Sequence, residues 1–87
     1  MERKEIEEKT TAVMAKVLIL PRRELTLDKR FAEDLGGDSL DAVDCKLQLE
    51  DVFDIKFSEN DIWCAYPDGT TIKDICDYIE ECLSGKD

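Results

Sequence analysis

Histidine is absent from this 87-residue chain. That absence removes the Ser-His-Asp and Cys-His arrangements of nucleophilic catalysis, and mixed Cys/His zinc sites with them. Glycine and proline are scarce, at four and two residues, and the glycines fall outside the spacing of a phosphate-binding or dinucleotide-binding loop. The four cysteines, Cys45, Cys64, Cys76 and Cys82, form no C-x-x-C pair, so metal ligation is not expected. A calcium loop fails too, because its D-x-[DN]-x-[DN]-G spacing is missing around Asp34 to Asp44. No apolar run approaches a membrane span, and Met1-Glu2-Arg3-Lys4-Glu5 offers neither a signal-peptide core nor the acid-poor composition of a transit peptide. A cytoplasmic protein with reduced cysteines is expected.

Acid is what the chain has in excess. Twenty-two acidic side chains stand against 12 basic ones, for a formal charge of −10 and a sequence pI near 4.4. Such a balance argues against nucleic acid and for partners with basic surfaces. Apolar residues make up 43%, too many for a disordered acidic tail. One folded domain over residues 1–87 is expected, a monomer able to bury about 60–65% of its unfolded-chain surface. Carboxylate pairs are plentiful, but none is marked as held in an apolar pocket, so they read as an interaction surface rather than an acid–base pair.

The apolar positions recur with helical period. Ile6, Val13, Val17 and Leu20 trace one face of a helix from about Glu2 to Leu20, which Pro21 stops. Arg22 to Gly37 shows no sustained period, yet Leu25, Leu27, Phe31 and Leu35 make it a long loop pinned to a core. Then Gly36-Gly37 gives a tight turn, and Asp38 with Asp41 forms an N-terminal capping signature for a second helix, Ser39 to Asp54. If Asp38 caps, the Ser39 hydroxyl is left free at the positive end of a helix, where an attached phosphate is tolerated electrostatically.

That second helix carries two apolar stripes. Ala42, Cys45, Leu49, Val52 and Phe53 suit the core, while Leu40, Val43 and Leu47 form a second stripe amid Asp41, Asp44, Glu50 and Asp51. A small apolar patch in an anionic rim has the anatomy of a docking surface; a tight bundle that buries both stripes is the competing arrangement. Ser58 and Asp61 signal a short helix through Ile62 and Trp63, ended by Pro67 and Gly69. Thr71 and Asp74 cap a last helix to about Leu83, with Ile72, Ile75, Cys76, Ile79 and Leu83 inward and Gly85 closing it. Cys76 on that stripe reads as a small core hydrophobe. The expected fold is all-α, a small four-helix bundle with a long first loop and a short third helix.

Leu35-Gly36-Gly37-Asp38-Ser39-Leu40-Asp41, preceded by Leu25 and Phe31 and followed by an acidic helix ending in Phe53 and a last helix with Asp77-Tyr78-Ile79, resembles the acyl carrier protein family over most of the chain. The resemblance implies that Ser39 is the attachment point of 4′-phosphopantetheine, delivered from coenzyme A by a magnesium-using phosphopantetheinyl transferase. The chain would then be no enzyme but a substrate of that transferase. Asp38 would orient the Ser39 region. Leu40, Asp41, Val43, Asp44, Leu47, Glu50 and Asp51 would meet the basic docking patches of acyl-loading, synthase or acyltransferase enzymes. The cargo would be acyl groups held as thioesters for lipid or polyketide-type biosynthesis.

Some positions depart from the common family pattern. Lys46 interrupts the acidic helix, Lys29 and Arg30 add positive charge just before Phe31, and Trp63 to Gly69 is longer than the same connection in ordinary members. Trp63 and Tyr66 are candidates to narrow or cap an acyl pocket. These departures suggest a specialised carrier. A peptidyl or aminoacyl carrier is the in-family alternative, and an unmodified acidic helical module, with Ser39 a mere helix cap, is the alternative outside it.

Overall fold

The computed structural model describes residues 2–57 and 69–84. Within them lie three α-helices and no strand: α1 (Arg3–Leu18), α2 (Ser39–Phe53) and α3 (Ile72–Ser84), with a single 3₁₀ turn at Arg22–Glu24. The all-α expectation holds. The short helix expected from Ser58 to Trp63, together with Tyr66, Pro67 and Gly85, lies outside the described residues.

Helix α1 buries Ile6, Thr10, Val13 and Met14, with Val17 and Leu20 packed half-buried against them. It ends two residues before the expected limit. Ile19 turns into the left-handed region at φ 57°, and the Leu20 N–H reaches back to the Ala15 carbonyl at 3.1 Å, closing the helix before Pro21 is reached. Pro21 instead opens the 3₁₀ turn.

Helix α3 is strongly amphipathic and buries Ile72, Ile75, Cys76 and Ile79. Its start is fully accounted for. The Ile72 N–H donates to the Lys29 carbonyl and the Lys73 N–H to the Leu27 carbonyl, both at 3.0 Å. The Asp74 N–H donates to Thr71 Oγ1 at 3.1 Å and the Thr71 N–H to the Asp74 carboxylate at 3.1 Å, the reciprocal cap expected from the sequence. Loop carbonyls thus satisfy the donors that every helix start leaves open, and in doing so they fasten the long first loop. Leu25 and Phe31 are buried from that loop, and Leu27 and Leu35 pack beside them.

Arg3 ties the start of α1 to the middle of α3: its guanidinium meets Glu7 at 2.8 Å, Asp77 at 2.6 Å and Glu80 at 3.4 Å. Glu7 first, then Asp77, hold its proton more tightly than water would. Phe31 joins the starts of the other two helices: its N–H donates to the Thr70 carbonyl at 2.8 Å, and its carbonyl accepts from the Gly37 N–H at 2.9 Å. The beginnings of α2 and α3 therefore lie toward one end of the bundle.

Cys45 and Cys76 are buried, and Cys82 is half-buried; Cys64 lies outside the described residues. Burial pushes the Cys76 thiol up to about 11, only partly offset by Thr10 and Arg3. The Thr10 hydroxyl forms no well-shaped hydrogen bond of its own, and the neighbouring thiol is a weak substitute for an oxygen partner.

Candidate functional site

Gly36 and Gly37 play different parts in the turn before α2. Gly36 takes φ +74°, a conformation that suits glycine, with open space around it. Gly37 needs no unusual φ, but its missing side chain is filled by the Phe31 ring, which a Cβ would overlap. Phe31 is wholly buried. The aromatic anchor of the loop thereby fixes the backbone two residues before Ser39.

Asp38 is the N-cap of α2. Its Oδ1 accepts from the Asp41 N–H at 2.9 Å, and Asp41 Oδ2 accepts from the Asp38 N–H at 3.2 Å, a complete capping box. The Ala42 N–H donates to the Asp38 carbonyl at 2.9 Å. Every cap position is thus filled by aspartate. Ser39 is exposed, and among the described residues its hydroxyl has no hydrogen-bond partner. Among the described residues, nothing claims its own N–H or that of Leu40, so a phosphate on Ser39 would meet open donors at the positive end of a 15-residue helix. The residues present fit such a group.

Along α2 the two stripes separate. Ala42, Cys45, Leu49 and Phe53 are buried, while Leu40 is 79% exposed, Leu47 58% and Val43 46%. The competing arrangement, burial of both stripes, is excluded. Val52 was expected in the core stripe and is instead 43% exposed. The correction is geometric: Phe53 and Leu49 already occupy the inward direction, and a residue one position before Phe53 is rotated by about 100° from it.

The carboxylates divide by task. Asp41 is committed to the capping box, and Asp44 accepts from the Gln48 amide at 3.1 Å on the surface. Asp51 is exposed. Glu50 differs from the expectation of a purely outward residue, since it is half-buried and its carboxylate accepts from the Phe57 N–H at 2.8 Å. Together with the Ile55 N–H on the Glu50 carbonyl at 3.1 Å, it folds the chain leaving α2 back on the helix. An open groove follows, lined by Leu47, Asp51 and Asp54 on one side and by Glu81 and Cys82 of α3 on the other. Glu81 and Cys82 were not picked out from the sequence, because only the fold of the chain brings them to the same groove as Leu47 and Asp51. Trp63 and Tyr66 lie outside the described residues.

The phosphopantetheine attachment site family matches residues 8–79 of this chain. An acyl carrier protein of Phytoplasma australiense is 36% identical over 77 residues, 88% of this chain and 96% of the relative. An acyl carrier protein of Onion yellows phytoplasma (strain OY-M) is 40% identical over 72 residues, 83% of this chain and 90% of the relative.

The chain belongs to the acyl carrier protein family.

An acyl carrier protein is a carrier and not a catalyst, and its cofactor is a covalently attached 4′-phosphopantetheine. The unmodified acidic module is thereby set aside. Among the described residues, no helix of this acyl carrier protein is long and apolar enough to cross a membrane.

Proposed function

We propose that Ser39 is the residue that carries the 4′-phosphopantetheine arm, and that the chain presents acyl groups on it to enzymes of lipid or polyketide-type biosynthesis. The observation that carries this reading is the division of labour at the start of α2. Asp38 and Asp41 perform the capping, and an exposed hydroxyl with no structural duty stands beside them.

In the loading step the Ser39 oxygen attacks the phosphorus that bears the pantetheine portion of coenzyme A. A serine–phosphate bond forms and the pyrophosphate P–O bond breaks. Adenosine 3′,5′-bisphosphate leaves, and the hydroxyl proton passes to a base on the transferase, which also supplies the magnesium. The tether's terminal thiol then holds acyl groups as thioesters. Asp38 and the bare α-carbon of Gly37 on Phe31 hold the Ser39 backbone still while a transferase closes over it.

Leu40, Val43 and Leu47 form the apolar part of the docking face, and Asp44 and Asp51 its anionic rim, with Asp41 at the upper edge. Opposite charge on loading, synthase and acyltransferase partners speeds encounter and sets orientation without tight binding. The names of the two relatives favour acyl over peptidyl or aminoacyl cargo. Residues 1–87 act as one carrier domain in the cytoplasm, kept monomeric by a charge of −10.

Intact mass of the chain isolated from its own cells, followed by fragmentation, tests the assignment. A phosphopantetheine adduct on the peptide holding Ser39 supports it; an adduct on any other serine or threonine refutes it.

A further inference from the structure

Lys46 is the only cation on α2, among Asp41, Asp44, Glu50 and Asp51. It is half-buried, yet among the described residues its ammonium has neither an ion pair nor a hydrogen bond. The acids of the helix are turned to other work. Glu50, one turn on, gives its carboxylate to the Phe57 N–H at 2.8 Å, Asp44 takes the Gln48 amide at 3.1 Å, and Asp41 closes the capping box. Other lysines fare differently: Lys9, half-buried on α1, meets Glu5 at 3.3 Å, and Lys73 meets Asp77 at 2.9 Å. In the unmodified fold the Lys46 charge has no use that an apolar side chain would not serve better.

Its place on α2 gives the charge a partner. Lys46 follows Ser39 by seven residues in one continuous helix, two turns less about 20°, so the two lie on nearly one line with α-carbons about 10.5 Å apart along the axis. Ala42 and Val43, the residues between them on that line, bear no charge. Helical side chains lean toward the helix start. The long stem of Lys46 therefore carries its ammonium back toward Ser39.

Resting on the assignment of the arm to Ser39, we infer that the Lys46 ammonium is the counter-ion of the arm's phosphodiester. Loading replaces a neutral hydroxyl by a permanent negative charge, set close to Asp38 and Asp41 in a chain that already carries −10. The open N–H groups of Ser39 and Leu40 take part of that charge, and Lys46 supplies the cation. Lys46 is thus a positioning residue, which draws the first stretch of the tether along α2 instead of straight off the helix end.

The test is a cycle of loading against substitution. The full chain, Lys46→Met, Lys46→Arg and Lys9→Met are each unfolded in urea before and after complete loading by a phosphopantetheinyl transferase with coenzyme A, with intact mass and fragmentation to place the adduct. The loading-induced change in midpoint is expected to be less favourable in Lys46→Met than in the original chain by about 0.3 M, to be kept in Lys46→Arg, and to be unaltered in Lys9→Met. In about 1 M salt the contrast is expected to fade. Equal loading-induced changes in the original chain and Lys46→Met, with both loaded on Ser39, overturn the counter-ion inference alone, since a lysine that only packs its stem lowers both midpoints together. Absence of the adduct from Ser39 of the original chain removes the carrier reading beneath it.

Discussion

Gly37 rests its bare α-carbon on the buried Phe31 ring and donates its N–H to the Phe31 carbonyl at 2.9 Å. Phe31 thereby links the long loop, the start of α3 through its backbone N–H on Thr70, and the turn that presents Ser39. Gly37→Ala is expected to destabilise the fold by about 1–3 kcal/mol through overpacking. Gly36→Ala meets open space and is expected to cost about 1 kcal/mol, from the left-handed backbone alone. Urea unfolding of the two variants checks the order, and a Gly36 effect larger than that of Gly37 would contradict it.

On the proposed docking face of α2, docking and folding are expected to be separable. Leu47→Ala is expected to change stability by less than about 0.5 kcal/mol while weakening acyl transfer with a partner synthase, whereas Leu49→Ala costs about 2–5 kcal/mol. Raising the salt concentration is expected to slow partner association with little effect on folding. Transfer rates and thermal unfolding, measured side by side, decide it.

Glu50 and Asp51 are neighbours with different duties. Glu50→Ala leaves the half-buried Phe57 N–H without its carboxylate, at a cost of about 1–3 kcal/mol. Asp51→Ala, on the exposed rim, is expected to fall within about 0.5 kcal/mol. Denaturation midpoints of the pair test this, and equal midpoints would show the Phe57 contact to be dispensable.

Acid and base are expected to weaken the fold at identifiable groups. The Lys73 ammonium, followed by Arg3, holds Asp77 below its ordinary value of 3.8, and the Arg30 N–H does the same for Asp34. A depressed carboxylate contributes stability above its unfolded value and loses it as pH falls through the folded one, so this loss sets in below about pH 4. Cys76 has the opposite sign. Its thiol ionises near 9 when unfolded and about 11 when folded, so its contribution is complete below 9 and disappears between those values. Asp77→Asn should flatten the acid limb of a stability–pH curve, and Cys76→Ala the alkaline limb.

Local chemistry was legible in the sequence. The caps Asp38/Asp41 and Thr71/Asp74 are four-residue arrangements whose partners are near neighbours in the chain, and both formed as read. The core stripe of α3 followed from its period. Features set by packing were not legible. The contact of Glu50 with the Phe57 N–H depends on how the chain turns after α2, and the outward turn of Val52 depends on Phe53 filling the core first. The left-handed Ile19 carries no compositional signal at all, since glycine is the residue that ordinarily announces such a turn.

The most direct measurement is labelling of the chain and of Ser39→Ala by a phosphopantetheinyl transferase with fluorescent coenzyme A, with unfolding curves of both. Because Asp38 performs the capping, Ser39→Ala is expected to unfold within about 0.5 kcal/mol of the original chain and to take up no label. A folded Ser39→Ala variant that labels as fully as the original would contradict the account.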